Sequence, residues 1–255
     1  MAESPYFWMF LHVAGFSVWS SLWPRQFLKR FFEPKIGYKT YRIFYNAGTI
    51  FLFGASLLYL FQHSPETTRL WYWRDQAWFK PLMYTIESVG IFFMWGTAQL
   101  GISFWGFKNP PPDGNLQVRG YYKITRHPLY WSVFCLLFGH MLVLGSGLAV
   151  FYFLTMELYN VLGVILFENP SLSRQYGAAF DDYKRTVSTI PFLSILRGKV
   201  KLTKEDFPPK IFVGAGLFIT FIVLIHRPVI VFLVYYLPHL GRVTPWLREW
   251  IKMGN

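Results

Sequence analysis

Two histidines in this 255-residue chain stand inside apolar runs, where a titratable ring is costly and by default marks a functional position. His12 lies in "FWMFLHVAGF" and His140 in "CLLFGHMLVL". A third, His127, opens the second run within "TRHP", beside Arg126 and Pro128. Imidazole nitrogens ligate metals, shuttle protons or hydrogen-bond a neighbouring helix. From His127 to His140 an α-helix turns by roughly 220° and rises about 20 Å, so these two rings cannot share one ligand. His12 and His140 can. His12 stands eleven residues from the end of its run at Trp23, and His140 twelve from Pro128. If the two helices enter from opposite sides, both rings lie ~16–18 Å above one boundary. Two imidazoles level on different helices are the arrangement that bis-histidine haem ligation requires. The same arrangement also serves two unrelated hydrogen bonds to neighbouring helices, and spacing alone leaves both readings open.

Carboxylates at the same depth are few. Glu157, ten residues before Phe167, lies ~15 Å up, with Asn160 one turn away on the same face. It either accepts a hydrogen bond from the distal N–H of a ligand histidine or is a structural carboxyl. Glu87, near an outer helix end, is expected to snorkel to the interface. His127 and Arg126 read either as an interfacial, anion-binding pair or as a helix-start and loop-packing element, Pro128 being favoured at a first helical position. His63 and His226 are expected at boundaries. The single cysteine, Cys135, excludes an intrachain disulfide and any multi-cysteine metal site, and reads as a small buried hydrophobe.

The elements that must position these groups are helices in lipid. The chain is 53% hydrophobic and 21% aromatic but only 15% charged, well below the ~25% of a soluble domain. Apolar segments at about 6–23, 43–62, 82–107, 128–145, 148–167 and 211–237 predict an all-α, polytopic membrane bundle of about six transmembrane helices. "LGSG" at 144–147 is a tight turn that makes the fourth and fifth antiparallel neighbours. The net charge of +12 is distributed by topology. The connections 24–42, 108–127 and 168–210 carry 6, 4 and 8 Lys/Arg, against 3 in 63–81 and 4 in 226–255. The charged loops are therefore expected on the inside face and the amino terminus outside, with the surplus contacting anionic lipid rather than nucleic acid. Within 168–210, Arg174, Phe180, Tyr183 and Lys184 predict an amphipathic surface helix ended before Pro191. No cleavable signal or transit segment is evident, so an organellar address would be internal or absent from this sequence.

An ordered series of blocks gives the chain a resemblance. "LHVAGFSVWSSLWPR", "IGYKTYRIFYNAG", "QHSPETTRLW", "ITRHP", "LLFGHMLVLG", "RQYGAAFDDYKRTVSTIPF", "ILRG" and "IHRP" cover roughly residues 9–228. They resemble the NnrU-type membrane proteins, and within them the 15-cis-zeta-carotene isomerases. The resemblance implies one membrane domain over 1–228, with an additional apolar tail at 229–255. It implies a haem b held by His12 and His140, which would be metal ligands and catalytic groups alike. The implied activity is isomerisation of a central cis double bond in a polyene, without net redox change, in a plastid or mitochondrial inner membrane. Glu157, Asn160, Arg126 and His127 are the remaining candidates for holding the cofactor.

This chain departs from the pattern. Asn160-Val161 stands where the family carries a histidine pair, and Leu129-Tyr130-Trp131 follows "RHP" where a polar residue is expected. "RHPLYW", Glu168-Asn169 and "YGAAFDDYKR" are also similar to isoprenylcysteine carboxyl methyltransferases, which would imply S-adenosylmethionine, although Ser132 replaces an expected glycine. A third class fits the lost pair and the apolar tail: a non-catalytic subunit of an organellar membrane complex, with other subunits as partners. The lipid bilayer and a hydrophobic polyene or lipid are the partners implied otherwise.

Overall fold

The computed structural model describes residues 4–221, apart from 74, 101–115, 117 and 210, together with Leu224. His226, the 229–255 tail and most of the 108–127 connection's first half lie outside the described residues. The described chain is helical, its only extended pairing being an isolated bridge between Arg69 and Ser146.

Helices stand at all six apolar segments. α1 (Pro5–Leu22) begins with Pro at its first position, where the missing N–H costs nothing. α2 (Gln26–His63) contains Pro34 and, at Gly37, a φ of 79° and ψ of 153°. Pro removes a helical donor and Gly alone adopts that backbone easily, so a charged arm is kinked away from the apolar length that follows. α3 (Phe79–Leu100) and the short α4 (Tyr121–Ile124) precede α5 (Pro128–Leu144) and α6 (Gly147–Leu162). A helix over Ile211–Phe221 represents the last segment.

By length and composition, two stretches suffice to cross a membrane: Phe27–Glu66 and Gly147–Tyr176. α5 and the 211–221 helix are apolar but shorter. Of the six helices expected to cross, two are long and apolar enough to do so.

The "LGSG" turn is as expected. Gly145 takes the left-handed conformation (φ 58°, ψ 29°) that ends α5, and Ser146 caps α6 by accepting from the Ala149 N–H. An extended strap locks it: Leu70 donates to the Gly145 carbonyl at 2.7 Å, and Gly147 donates to Thr68 at 2.8 Å. A Cβ on Gly145 would lie 2.3 Å from the Trp71 carbonyl oxygen.

The main core joins α1, α2, α5 and α6, with Met9, Val13, Leu60, Leu137, Met141, Leu148, Tyr152 and Met156 buried together. α3 packs along α5 through small residues. Gly90 faces Cys135 and Leu136, and Gly139 faces Glu87, the close approach by which helices associate in lipid. Cys135 is a packing residue at this contact.

α6 continues through a π-helical turn (Gly163–Glu168) into α7 (Asn169–Tyr176) and α8 (Ala178–Thr186). α8 buries Phe180 and Tyr183 against Val187 and Val200, as its amphipathic pattern predicts. Beneath it, the buried Asp206 ties two loops: it accepts from Lys123 Nζ at 2.8 Å, the Thr203 N–H at 2.9 Å and the Gly120 N–H at 3.2 Å. Burial opposes ionisation there, but the Lys123, Thr203 and Gly120 donors outweigh it and hold the carboxyl below its ordinary range.

Candidate functional site

His12 and His140 are presented in the same way. His12 donates from Nδ1 to the Trp8 carbonyl at 2.8 Å, and His140 from Nδ1 to Leu136 at 2.7 Å. Each bond reaches back one turn on the ring's own helix. A carbonyl can only accept, so Nδ1 carries the proton and, in the neutral ring, Nε2 keeps its lone pair. An imidazole oriented through Nδ1–H is the tautomer that ligates a metal through Nε2.

Both rings border the C-terminal half of α2. His12 stacks on Tyr59 with centroids 4.8 Å apart, and His140 meets Phe61 edge-on at 5.7 Å. Their flanking residues, Met9 and Val13 on α1 and Leu137 and Met141 on α5, share the main core cluster. Among the described residues no three of His, Cys, Asp and Glu converge as a metal-binding group. His12 and His140 are each set among aromatic and aliphatic side chains. Haem needs axial nitrogens and apolar flanks, and these residues fit it.

The carboxylate beside this pair differs from the expectation. Glu87, expected at the interface, has an oxygen 3.9 Å from His140 Nδ1. Glu157 instead accepts a hydrogen bond from Asn160 Nδ2 at 3.2 Å. The reason is packing: Gly139 admits α3 against α5 at the turn of His140, with Glu87 Cγ 3.2 Å from where a Cβ would stand. No spacing along one helix announces that neighbour. Asn160 is buried and bound to Glu157, a local i,i+3 pair on α6.

At the other end of α5 stands a second polar group. His127 is 95% buried, being 5% exposed, and neither ring nitrogen makes a hydrogen bond within the protein. A Glu168 oxygen lies 3.4 Å from Nδ1, beyond ordinary hydrogen-bond length. The π-helical turn brings Glu168 there; such turns are frequent at functional sites. Arg126 Nε and Asn169 Oδ1 are likewise buried without a hydrogen-bond partner. Burial lowers Arg126 from the ordinary arginine value, partly offset by Tyr183. Burial raises the Tyr122 phenol, and Glu168 adds to it; burial, then Tyr122 and Glu168, raise Tyr183 against the pull of Arg126. These residues share one poorly hydrated, electrostatically connected environment. His63, at the C-terminal end of α2, pairs with Glu66 at 2.8 Å.

With this geometry in hand, comparison with known proteins gives a consistent answer. The chain is 25% identical over 175 residues to the chloroplastic 15-cis-zeta-carotene isomerase of Zea mays, covering 68% of this chain and 46% of that protein. It is 24% identical over 177 residues to the Arabidopsis thaliana protein of the same name, covering 69% of this chain and 47% of that one. The chain thus spans about half the length of the curated relatives it matches. No solved structure matches. The family model described as NnrU protein matches residues 8–234. The chain belongs to the NnrU family.

Proposed function

We propose that this chain is an integral membrane protein that binds haem b between His12 and His140 and isomerises a cis double bond of a hydrophobic polyene. The observation that carries the reading is the matched presentation of the two rings. Each is fixed through Nδ1 to the carbonyl one turn back on its own helix, the tautomer whose Nε2 can ligate iron. The relatives named as 15-cis-zeta-carotene isomerases supply the reaction class. Six helices would cross the bilayer, two of them long enough and apolar enough by composition alone. The basic connections 24–42, 108–127 and 168–210 would face the inside of an organelle membrane, as the chloroplastic relatives suggest.

His12 and His140 would hold the haem. Tyr59 and Phe61 would hold the two rings in orientation, and Glu87 would add negative charge beside His140, raising its donor strength. The group held there would supply electron density to the polyene, which would lower the barrier to rotation about its double bond. The chain's own part is to keep the site dry and elongated, which the aromatic and aliphatic lining favours. No proton need be moved, and Glu157, bound to Asn160, would be structural.

The test is turnover. Purified protein reduced with dithionite is incubated with a 15-cis polyene and the isomers are separated by chromatography. The reading predicts conversion by the wild type that is lost in His140→Ala. Conversion unaffected by that change would refute the assignment.

A further inference from the structure

The Arg126–His127–Glu168–Asn169 group takes no part in the proposed chemistry. It stands thirteen residues, about 20 Å, from His140 along α5. We infer that it is a second binding site, which holds the zwitterionic phosphoethanolamine head of a membrane lipid whose acyl chain lies along α6. The inference rests on the reading that the chain spans a bilayer.

The head chemistry follows from the groups present. Arg126 and the His127 ring offer N–H donors to an anion, and a guanidinium fits phosphate well. The Glu168 carboxylate, a third exposed, and the unpartnered Asn169 Oδ1 offer acceptors to an ammonium. A purely anionic head would meet the Glu168 charge. A quaternary ammonium has no N–H to donate to it. A phosphate with a primary amine satisfies both halves, and does so where each buried polar atom otherwise costs its full desolvation.

The tail chemistry follows from the surface above. Leu154, Leu158, Val161 and Ile165 repeat at helical spacing and are 58%, 59%, 52% and 56% exposed. This stripe runs down α6 into the π-helical turn and ends at Glu168. A buried polar group at the end of an apolar stripe is the outline of an amphiphile, whereas a soluble zwitterion would have no use for the stripe.

The experiment uses full-length protein in nanodiscs of equal parts phosphatidylethanolamine, phosphatidylcholine and phosphatidylglycerol. Co-purifying lipids are quantified by mass spectrometry after detergent extraction. Phosphatidylethanolamine is expected to be retained over each of the others by roughly tenfold, the effect of one charge-assisted hydrogen bond. Glu168→Gln should abolish the preference over phosphatidylglycerol, and Arg126→Gln should abolish retention. Helicity by circular dichroism confirms that each variant is folded, and Leu158→Ser provides a second route by weakening the tail contact alone.

Equal retention of the three lipids, or a preference indifferent to Glu168→Gln, would overturn the site. Soluble phosphoethanolamine binding as tightly as the lipid would overturn the amphiphile assignment. Binding of S-adenosylmethionine that is lost in Glu168→Gln, without lipid preference, would overturn it in favour of a methyl donor. Failure to enter nanodiscs counts against the membrane reading as well; entry without selectivity counts against the site alone.

Discussion

The two ends of α5 hold histidines under opposite regimes. His140, like His12, is oriented by its own helix: the Nδ1 bond to the residue four back is made whatever the neighbouring helices do. His127 makes no such bond, is more deeply buried, and depends on Glu168 from another element for the nearest charge. The first is the residue proposed to give a lone pair to a ligand between helices. The lower one is part of a charged group completed only when the π-helical turn docks. A ligand whose geometry is set locally tolerates drift in the bundle, whereas a recognition group built from two elements reports on it.

The turn between α5 and α6 supports both ends, and breaking it should have the largest effect. Gly145→Val places a branched side chain at φ 58° with its Cβ 2.3 Å from the Trp71 carbonyl oxygen. A loss of more than about 3 kcal/mol is expected, with failure of both sites, read by thermal unfolding in detergent. Next comes the clasp under the lower site. Asp206→Ala leaves Lys123 without its partner and should cost about 3 kcal/mol while leaving the α1–α5 pair intact. Protease sensitivity of the 187–209 segment should rise.

The same clasp predicts a pH dependence. The Asp206 carboxyl is held below its ordinary range, so its contribution is complete above the unfolded value near ~4 and is lost as pH falls through the lower folded value. Acid unfolding monitored at Tyr and Trp should therefore lose part of its steepness in Asp206→Asn. The smallest effect sharpens the upper site. Glu87→Gln removes the charge 3.9 Å from His140 and should raise the potential of the proposed haem and weaken its binding by roughly tenfold. An unchanged potential would show that Glu87 only packs against Gly139.

What was legible in the sequence followed the range of the interaction. Helix positions and the "LGSG" turn rest on spacing along one chain segment, and each has its counterpart in the structure. The exchange of Glu157 for Glu87 beside His140 was not legible, because it depends on which residue of α3 meets the small Gly139. The role of Glu168 was equally hidden. A regular α-helix would have continued the register of α6, and only the wider π-helical turn carries that carboxylate to His127. Asn160, read beside Glu157 as a pair on one face, is bound to it as that spacing implies.

The central claim is that His12 and His140, and no other pair, present nitrogen to a haem. It is tested most directly by the absorption spectrum of the purified, haem-supplied protein and its single variants. The account predicts a Soret band with low-spin features in the wild type. The band should be lost or converted to high spin in His12→Ala and His140→Ala, and unchanged in His127→Ala and His63→Ala. No band in the wild type, or a low-spin band surviving both ligand substitutions, would contradict it.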